Sequence, residues 1–239
     1  MASVPMQQYL DDAGLNRQHV FALEQLPAEV RAPLELQPHE RQLILLAHAG
    51  RRLWQRVQAQ PGAEAIAHPI DTYSVDAARR WLAQALPRAR CRIVYPNGLP
   101  AGRHVALQRL GGLAGWHHAT PFMLGIDAHY GSWFAYRVAI ITDTALPPTP
   151  PRQGSHPCLG CSAKPCISSC PSQALASGTL DAMSCQRHRL QPDSVCALDC
   201  PARTACPVGT GHRYDSSQIR HGARASLAAL QRLAAEREA

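Results

Sequence analysis

No run of eighteen apolar residues occurs in the 239-residue sequence, so no membrane-spanning helix is expected. The longest apolar stretches, such as 42-QLILLAHA-49, suit a buried strand. The N-terminus, MASVPMQQYLDDAG, lacks a basic region followed by an apolar block, so no signal peptide is read and a cytoplasmic location is expected. Lysine is nearly absent: Lys164 stands alone beside 23 arginines. Carboxylates are missing from Ala77 to Ile126. General acid catalysis needs a titratable group within hydrogen-bond reach of the reacting atom, and that span has no Asp or Glu to supply one.

The formal charge is +7, which base composition or a nucleic-acid partner would explain. The acid-free span holds Arg79, Arg80, Arg88, Arg90, Arg92, Arg103 and Arg109. They read as a solvated basic face or as a phosphate-recognising patch.

Cysteine is what the chain has in excess. Eight of the nine cysteines lie between Cys158 and Cys206; only Cys91 is remote, in an apolar stretch where a core role is expected. In a reducing compartment such a cluster points to metal rather than disulfides. The first run is C-x2-C-x4-C-x3-C-P, from Cys158, Cys161, Cys166 and Cys170 to Pro171. The second is Cys185, then C-x3-C-x5-C-P, from Cys196, Cys200 and Cys206 to Pro207. Structural zinc usually uses two separated C-x2-C pairs, and only one x2 pair is present. A bacterial ferredoxin run is C-x2-C-x2-C-x3-C-P, and its last cysteine serves the other cluster. Applied here, that crossing assigns Cys158, Cys161, Cys166 and Cys206 to one [4Fe-4S] cluster. It assigns Cys170, Cys185, Cys196 and Cys200 to a second. Zinc, or a mixed site, is the alternative. Two clusters with their thiolates, at about −2 each, would lower the net charge to about +3, which weakens the case for nucleic acid.

Four regions follow along the chain. Residues 1–146 mix helix and strand patterns. The stretch 147-PPTPPRQGSHP-157 reads as an extended, Pro-rich linker. Residues 158–212 form the cysteine module, and residues 213–239 a C-terminal helix with Ile219, Ala223, Leu227, Leu230 and Leu233 on one side. Ser216 is a candidate cap for that helix. In the first region, helices are expected over 74–86 and 104–116, and strands over 42–49, 91–96 and 131–143. Gly111, Gly112 and Gly115 suggest a close neighbour to the second helix. The mixture predicts an α+β fold.

The segment 110-LGGLAGWHHATPFMLGIDAHYGSWFAYRVAIITDTALPP-148, followed by ferredoxin-type cysteines and 181-DAMSC-185, resembles epoxyqueuosine reductase. That family reduces a modified tRNA base with cobalamin and two [4Fe-4S] clusters. The segments 68-HPIDTYSVDAARRWLAQALP-87 and 131-GSWFAYR-137 resemble the cobalamin-processing chaperone CblC. Both resemblances imply a nitroreductase-like cobalamin-binding domain, here joined to a ferredoxin-type module with two clusters. They imply cobalamin as a cofactor, with Arg137 and the Gly131, Trp133, Phe134 strand facing it. Trp116, Trp133, Phe134 and Tyr136 would pave the corrin unless they are core. His117 would ligate cobalt or pack.

The tRNA enzymes carry an Asp proton donor shortly before their Gly-Trp. Here the acid-free span stands in its place, and their long C-terminal extension is not seen after the last helix. The expected function is therefore an oxidoreductase of the cobalamin reductase or decyanase type. Electrons would pass from an external donor such as a ferredoxin or flavodoxin, through both clusters, to corrinoid cobalt. Neither membrane nor nucleic acid is expected as a partner. An epoxyqueuosine-reductase-like tRNA enzyme and a dicluster electron carrier are the rivals.

Overall fold

The computed structural model describes residues 4–238. They form two compact units, one running to His117 and including Phe134–Gln153, the other His118–Trp133 with Gly154 onward. The first unit contains α1 (Val4–Asp12), β1 (Arg17–Ala22), α2 (Ala28–Arg31), β2 (Gln42–Ala49), α3 (Arg52–Gln58), α4 (Pro69–Ala85), β3 (Cys91–Tyr95), α5 (Leu107–Leu113) and β4 (Phe134–Thr142). Its strands make one antiparallel sheet in the order β1-β2-β4-β3. The result is a mixed helix-and-strand unit.

All eight residues of β2 are buried, because helices cover both faces of the sheet. A strand in that position needs no polar alternation, which is why QLILLAHA is continuous. Leu43, Leu45 and Ala47 pack with Ala139, Ile141, Val30 and Leu110 on one face. Ile44, Leu46, Val138 and Ile140 pack with Leu10, Leu53, Trp54 and Trp81 on the other. The strands expected at 42–49 and 91–96 are present; the one expected at 131–143 begins only at Phe134, and α5 is shorter than the 104–116 pattern.

α4 begins at Pro69, five residues before the apolar pattern does, because proline suits the first helical turn. Its buried stripe is Ser74, Ala77, Ala78 and Trp81, with Val75 and Leu82 at the margin. Ser74 is satisfied there, its hydroxyl donating to the Ile70 carbonyl at 2.7 Å. Cys91 packs against the same cluster, its thiol 3.4 Å from the Thr142 hydroxyl.

β1 carries no obvious strand signal, since its inward positions are Arg17, His19 and Phe21. Arg17 lies over Trp116, 4.6 Å from the ring centre, and His19 meets the same ring edge-on at 5.8 Å. The Pro-rich stretch is pinned along β1: the amide of Thr149 donates to the Val20 carbonyl at 2.9 Å, and the amide of Val20 donates to the Thr149 hydroxyl at 3.1 Å. Residues 144–156 have no helix or strand of their own.

Burial lowers the pKa of His19 from 6.5 to about 4. Between those values the unfolded chain takes up a proton that the folded chain refuses, so stability falls as pH drops through that window. Wild type is expected to lose about 2 kcal/mol more than His19→Leu between pH values of about 7 and 4.5, measured by urea unfolding. Equal losses would contradict the assignment.

The second unit contains α6 (Pro165–Ser168), α7 (Ala182–Leu190), α8 (Pro201–Thr204) and α9 (Ser216–Glu238). Its apolar core is small: Phe122, Cys166, Leu175 and Ala202, with Ile167, Cys170 and Leu180 packed against it. Asp181 caps α7, accepting from the amides of Met183 and Ser184 at 3.1 Å each. The cap of α9 is Asp215 rather than Ser216: its carboxylate, one residue earlier, accepts from the Gln218 amide at 2.8 Å. Among the described residues no helix is long and apolar enough to cross a membrane.

Candidate functional site

Eight thiols dominate the second unit, and all nine cysteines of the chain are free. α6 and α8 pack on each other. Cys166 lies within α6 and Cys206 just beyond α8, both buried. The structure brings Cys158, Cys161, Cys166 and Cys206 into one electrostatic neighbourhood. It brings Cys170, Cys185, Cys196 and Cys200 into another. Each neighbourhood mixes cysteines of both runs.

Loss of water is the largest influence on Cys158, Cys166, Cys185, Cys196 and Cys200, and neighbouring cysteines add to it. Burial pushes Cys158 up, reinforced by Cys206, Cys166 and Cys161. Cys166 is raised by burial and then by Cys206. Cys185 is raised by burial, then by Cys200. Cys196 is raised to about 11 by burial, then by Cys200, Cys170 and Cys185. Metal binding displaces the proton of a thiol ligand. Sulfur-rich, partly dry sets of four suit a thiophilic metal centre, so the donor chemistry fits an iron–sulfur group. Among the described residues, no three His, Cys, Asp or Glu side chains converge closely enough to hold one metal ion.

The first group lines a cavity of about 310 Å³ that also takes in Phe122, Ile126 and His156. His156 Nδ1 accepts from the Cys158 amide at 3.2 Å, and the His156 ring lies 5.0 Å from that of His118. Burial, more than His156, pushes the His118 imidazole below its ordinary value. The second group is held by Arg189. Its guanidinium donates to the Cys196 carbonyl at 3.2 Å, to the Ser226 hydroxyl at 3.0 Å and to the Ala223 carbonyl at 3.4 Å. One arginine therefore ties α7, the Cys196 loop and α9 together.

The residues expected around a corrin divide between the units. Gly131 and Trp133 belong to the second. Gly131 has φ +62°, and a Cβ there would collide with the Val208 carbonyl. Trp133 is fully buried, with Arg203 over its ring at 4.4 Å and Tyr214 edge-on at 5.4 Å. Trp116, His117, Phe134 and Tyr136 belong to the first unit. Trp116 is core. His117 Nδ1 sits 3.0 Å from the Tyr136 hydroxyl. His117 also lines an open groove of about 620 Å³ with Val105, Leu107, Gln108 and Arg109. The neighbour that Gly111 admits is Tyr136, whose hydroxyl occupies the space a Cβ would need.

Arg137 stands where β4 slips register against β2, at a β-bulge. Its Nε hydrogen-bonds His48 Nδ1 at 3.0 Å, and its NH1 reaches Asp71 at 3.5 Å. Burial pushes the Tyr95 hydroxyl up, while the nearby Arg137 pulls it down and Asp71 adds to the rise. His48, Asp71 and Tyr95 gather around Arg137 in a cluster that no single stretch of chain marks. Asp71 is the carboxylate of the group, and it comes from outside the acid-free span. Five arginines of that span find acids elsewhere: Arg79 with Asp76, Arg90 with Asp143, Arg92 with Glu40, Arg103 with Glu35 and Arg109 with Glu29. They are a paired surface more than a phosphate patch.

No protein-family profile and no curated protein matches the sequence. Solved structures do match. The B12-trafficking protein CblC of C. elegans superposes with a TM-score of 0.55 at 15% identity, over 92% of this chain and 91% of that one. Epoxyqueuosine reductase of Bacillus subtilis superposes with a TM-score of 0.51 at 14% identity, over 89% of this chain and 66% of that one. An epoxyqueuosine reductase solved with a tRNA-Tyr stem loop gives 0.53 at 14% identity, over 90% and 68%. The chain thus spans about two thirds of the length of these two reductases. What it shares with CblC and epoxyqueuosine reductase is the fold, a mixed α/β architecture with a small antiparallel sheet.

Proposed function

We propose that the chain is an iron–sulfur reductase that acts on a corrinoid, removing its upper ligand. The observation that carries this reading is the gathering of eight thiols into two neighbourhoods of four, in a chain whose fold is shared with a B12-trafficking protein. Cys158, Cys161, Cys166 and Cys206 would hold one [4Fe-4S] cluster, and Cys170, Cys185, Cys196 and Cys200 the other, as a ferredoxin-type module. Such clusters supply one-electron transfer when bound. The chain's own part is to fix and dry them. Arg189 holds the Cys196 loop, the His156 ring accepts from the Cys158 amide, and Phe122 and Ile126 keep the first group partly dry.

The corrinoid is substrate. The groove beside His117, and Arg137 at the bulge, are the contacts proposed for it in the sheet-bearing unit. Cyanide departs with its own electron pair once cobalt is reduced, so no protein acid has to stand beside it.

The second reading is a tRNA reductase like the enzyme solved with a tRNA stem loop. One observation favours it: Asp71, beside Tyr95 and Arg137, places a carboxylate there that the acid-free span does not supply. The readings separate in paired assays on one chemically reduced, anaerobic preparation. Conversion of cyanocobalamin to its Co(II) or Co(I) form, with epoxyqueuosine in tRNA untouched, is the expected result. Turnover of the tRNA with cyanocobalamin intact would reverse the order.

A further inference from the structure

α8 lies between the two groups of thiols. Cys200 stands at its N-terminal end and belongs to the second group, while Cys206 lies just past its C-terminal end and belongs to the first. Arg203, between them, acts electrostatically on Cys200, and its amide donates toward the Cys200 sulfur. The guanidinium is fixed in place. Its Nε donates to the Ser132 hydroxyl at 3.2 Å, and its NH2 donates to the Ser132 carbonyl at 2.6 Å. It lies 4.4 Å from the ring centre of Trp133 and 5.2 Å from that of Tyr214. Ser132, Trp133 and Tyr214 are all buried. A guanidinium keeps its charge in such a place, and salt screens it less than it screens a surface charge.

The charges around the second group do not simply cancel. Asp199 stands beside Cys200 and Asp181 beside Cys185, and both carboxylates are exposed. Arg203 acts on Cys200 more strongly than Asp199 does. Arg189, half-buried, acts on Cys185 more strongly than Asp181 does. The first group differs. The cation beside Cys158 is Lys164, which is exposed. Cys166 and Cys206 are buried, whereas Cys200 is exposed. Phe122 and Ile126 line the cavity of the first group. Amide donors reach sulfur in both groups, from Arg203 to Cys200 and from Ile167 to Cys166, so they do not separate the two. Nearby positive charge and contact with water favour adding an electron to a centre of net negative charge, and an apolar surround opposes it. Charge and water both favour the second group.

We propose that Arg203 raises the reduction potential of the centre held by Cys170, Cys185, Cys196 and Cys200 above that of its neighbour, so that this centre takes the first electron. The inference rests on the reading of the eight thiols as cluster ligands. One electron leaves a one-electron donor and enters that centre. The donor is oxidised by one electron, the centre is reduced by one, and no bond or proton changes place. Arg203 acts through a ligand thiol, so it is a positioning residue.

The test uses the cluster-loaded chain, poised without oxygen at fixed potentials with dithionite and followed by electron paramagnetic resonance. Wild type is expected to reduce in two one-electron steps. Cys206→Ser, which keeps all four thiols of the second group, is expected to show one step, at the higher of the two wild-type potentials. In Arg203→Gln the potential of the second centre is expected to fall by at least about 59 mV, a tenfold change in its reduction equilibrium. Arg203→Lys, which keeps the charge, is expected to stay near wild type. A Cys206→Ser step at the lower wild-type potential overturns the proposal. So does an unchanged potential in Arg203→Gln, or an Arg203→Lys potential that falls as far as that of Arg203→Gln, which would leave Arg203 a structural role alone. The Cys206→Ser comparison decides by itself if Arg203→Gln does not keep its iron. Iron analysis of the same samples keeps the two readings apart: wild type without iron sinks the cluster assignment, whereas a full iron content with the order reversed sinks this inference alone.

Discussion

Replacing Cys206 with serine is expected to cut the iron of anaerobically purified protein from about eight per chain to about four. Cys206 is the one thiol of the second run that neighbours Cys158 and Cys166. It is buried at the end of α8, so no solvent-mobile cysteine can replace it. The second group keeps all four of its thiols in this variant. Its centre should therefore retain its absorbance and remain reducible by dithionite. Cys91→Ser should leave the count unchanged, because Cys91 sits on β3 in the other compact unit, packed beside Thr142. Uniform loss of iron in the Cys206 variant would mean that the two groups do not form independently. An unchanged count would remove Cys206 from the ligand set.

Arg137→Ala is expected to weaken cobalamin binding about tenfold or more and to leave the iron content alone. Arg137 is fixed by His48 and Asp71 at a bulge. A guanidinium held by two partners on one side presents its remaining donors in a set direction, and a planar fork grips a polar ligand better than an ammonium does. The substitution also removes a donor from His48, which is 1% exposed, so a stability loss of about 1–3 kcal/mol should accompany it. Arg137→Lys separates the two effects: it keeps the charge and loses the fork. A melting temperature near wild type with binding still weakened would place Arg137 at the ligand. Unchanged binding in the alanine variant would confine Arg137 to holding α4 against the sheet.

How much was legible depended on whether the signal lay in one stretch of chain. β2 and the C-terminal half of β4 are buried on both faces, so Leu43–Ala47 and Val138–Ile141 are unbroken apolar runs. The cysteine runs were legible because seven of the eight clustered cysteines fall in two tight runs, Cys158–Cys170 and Cys196–Cys206, each ending in Cys-Pro, with Cys185 between them. β1 was invisible because its inward side chains are Arg17 and His19, a choice made by Trp116 across the core and not by strand propensity. Asp71, His48, Tyr95 and Arg137 sit on four different elements, and only the packing of α4 on the sheet joins them. Residues 118–133 precede the Pro-rich stretch yet pack with the cysteine unit. Part of the reason is the contact of Gly131 with the Val208 and Gly209 backbone, which no local pattern announces. The open groove beside His117 was missed for a similar reason. The glycines of α5 pointed toward β4, where Tyr136 already fills the space.

The eight thiols carry the proposed function, and the most direct measurement is the iron, zinc and acid-labile sulfide content of wild-type protein prepared without oxygen. About eight irons and about eight sulfides per chain, without zinc, is the expected result. One or two zinc ions and no sulfide would contradict it, and the proposed function would fall with it.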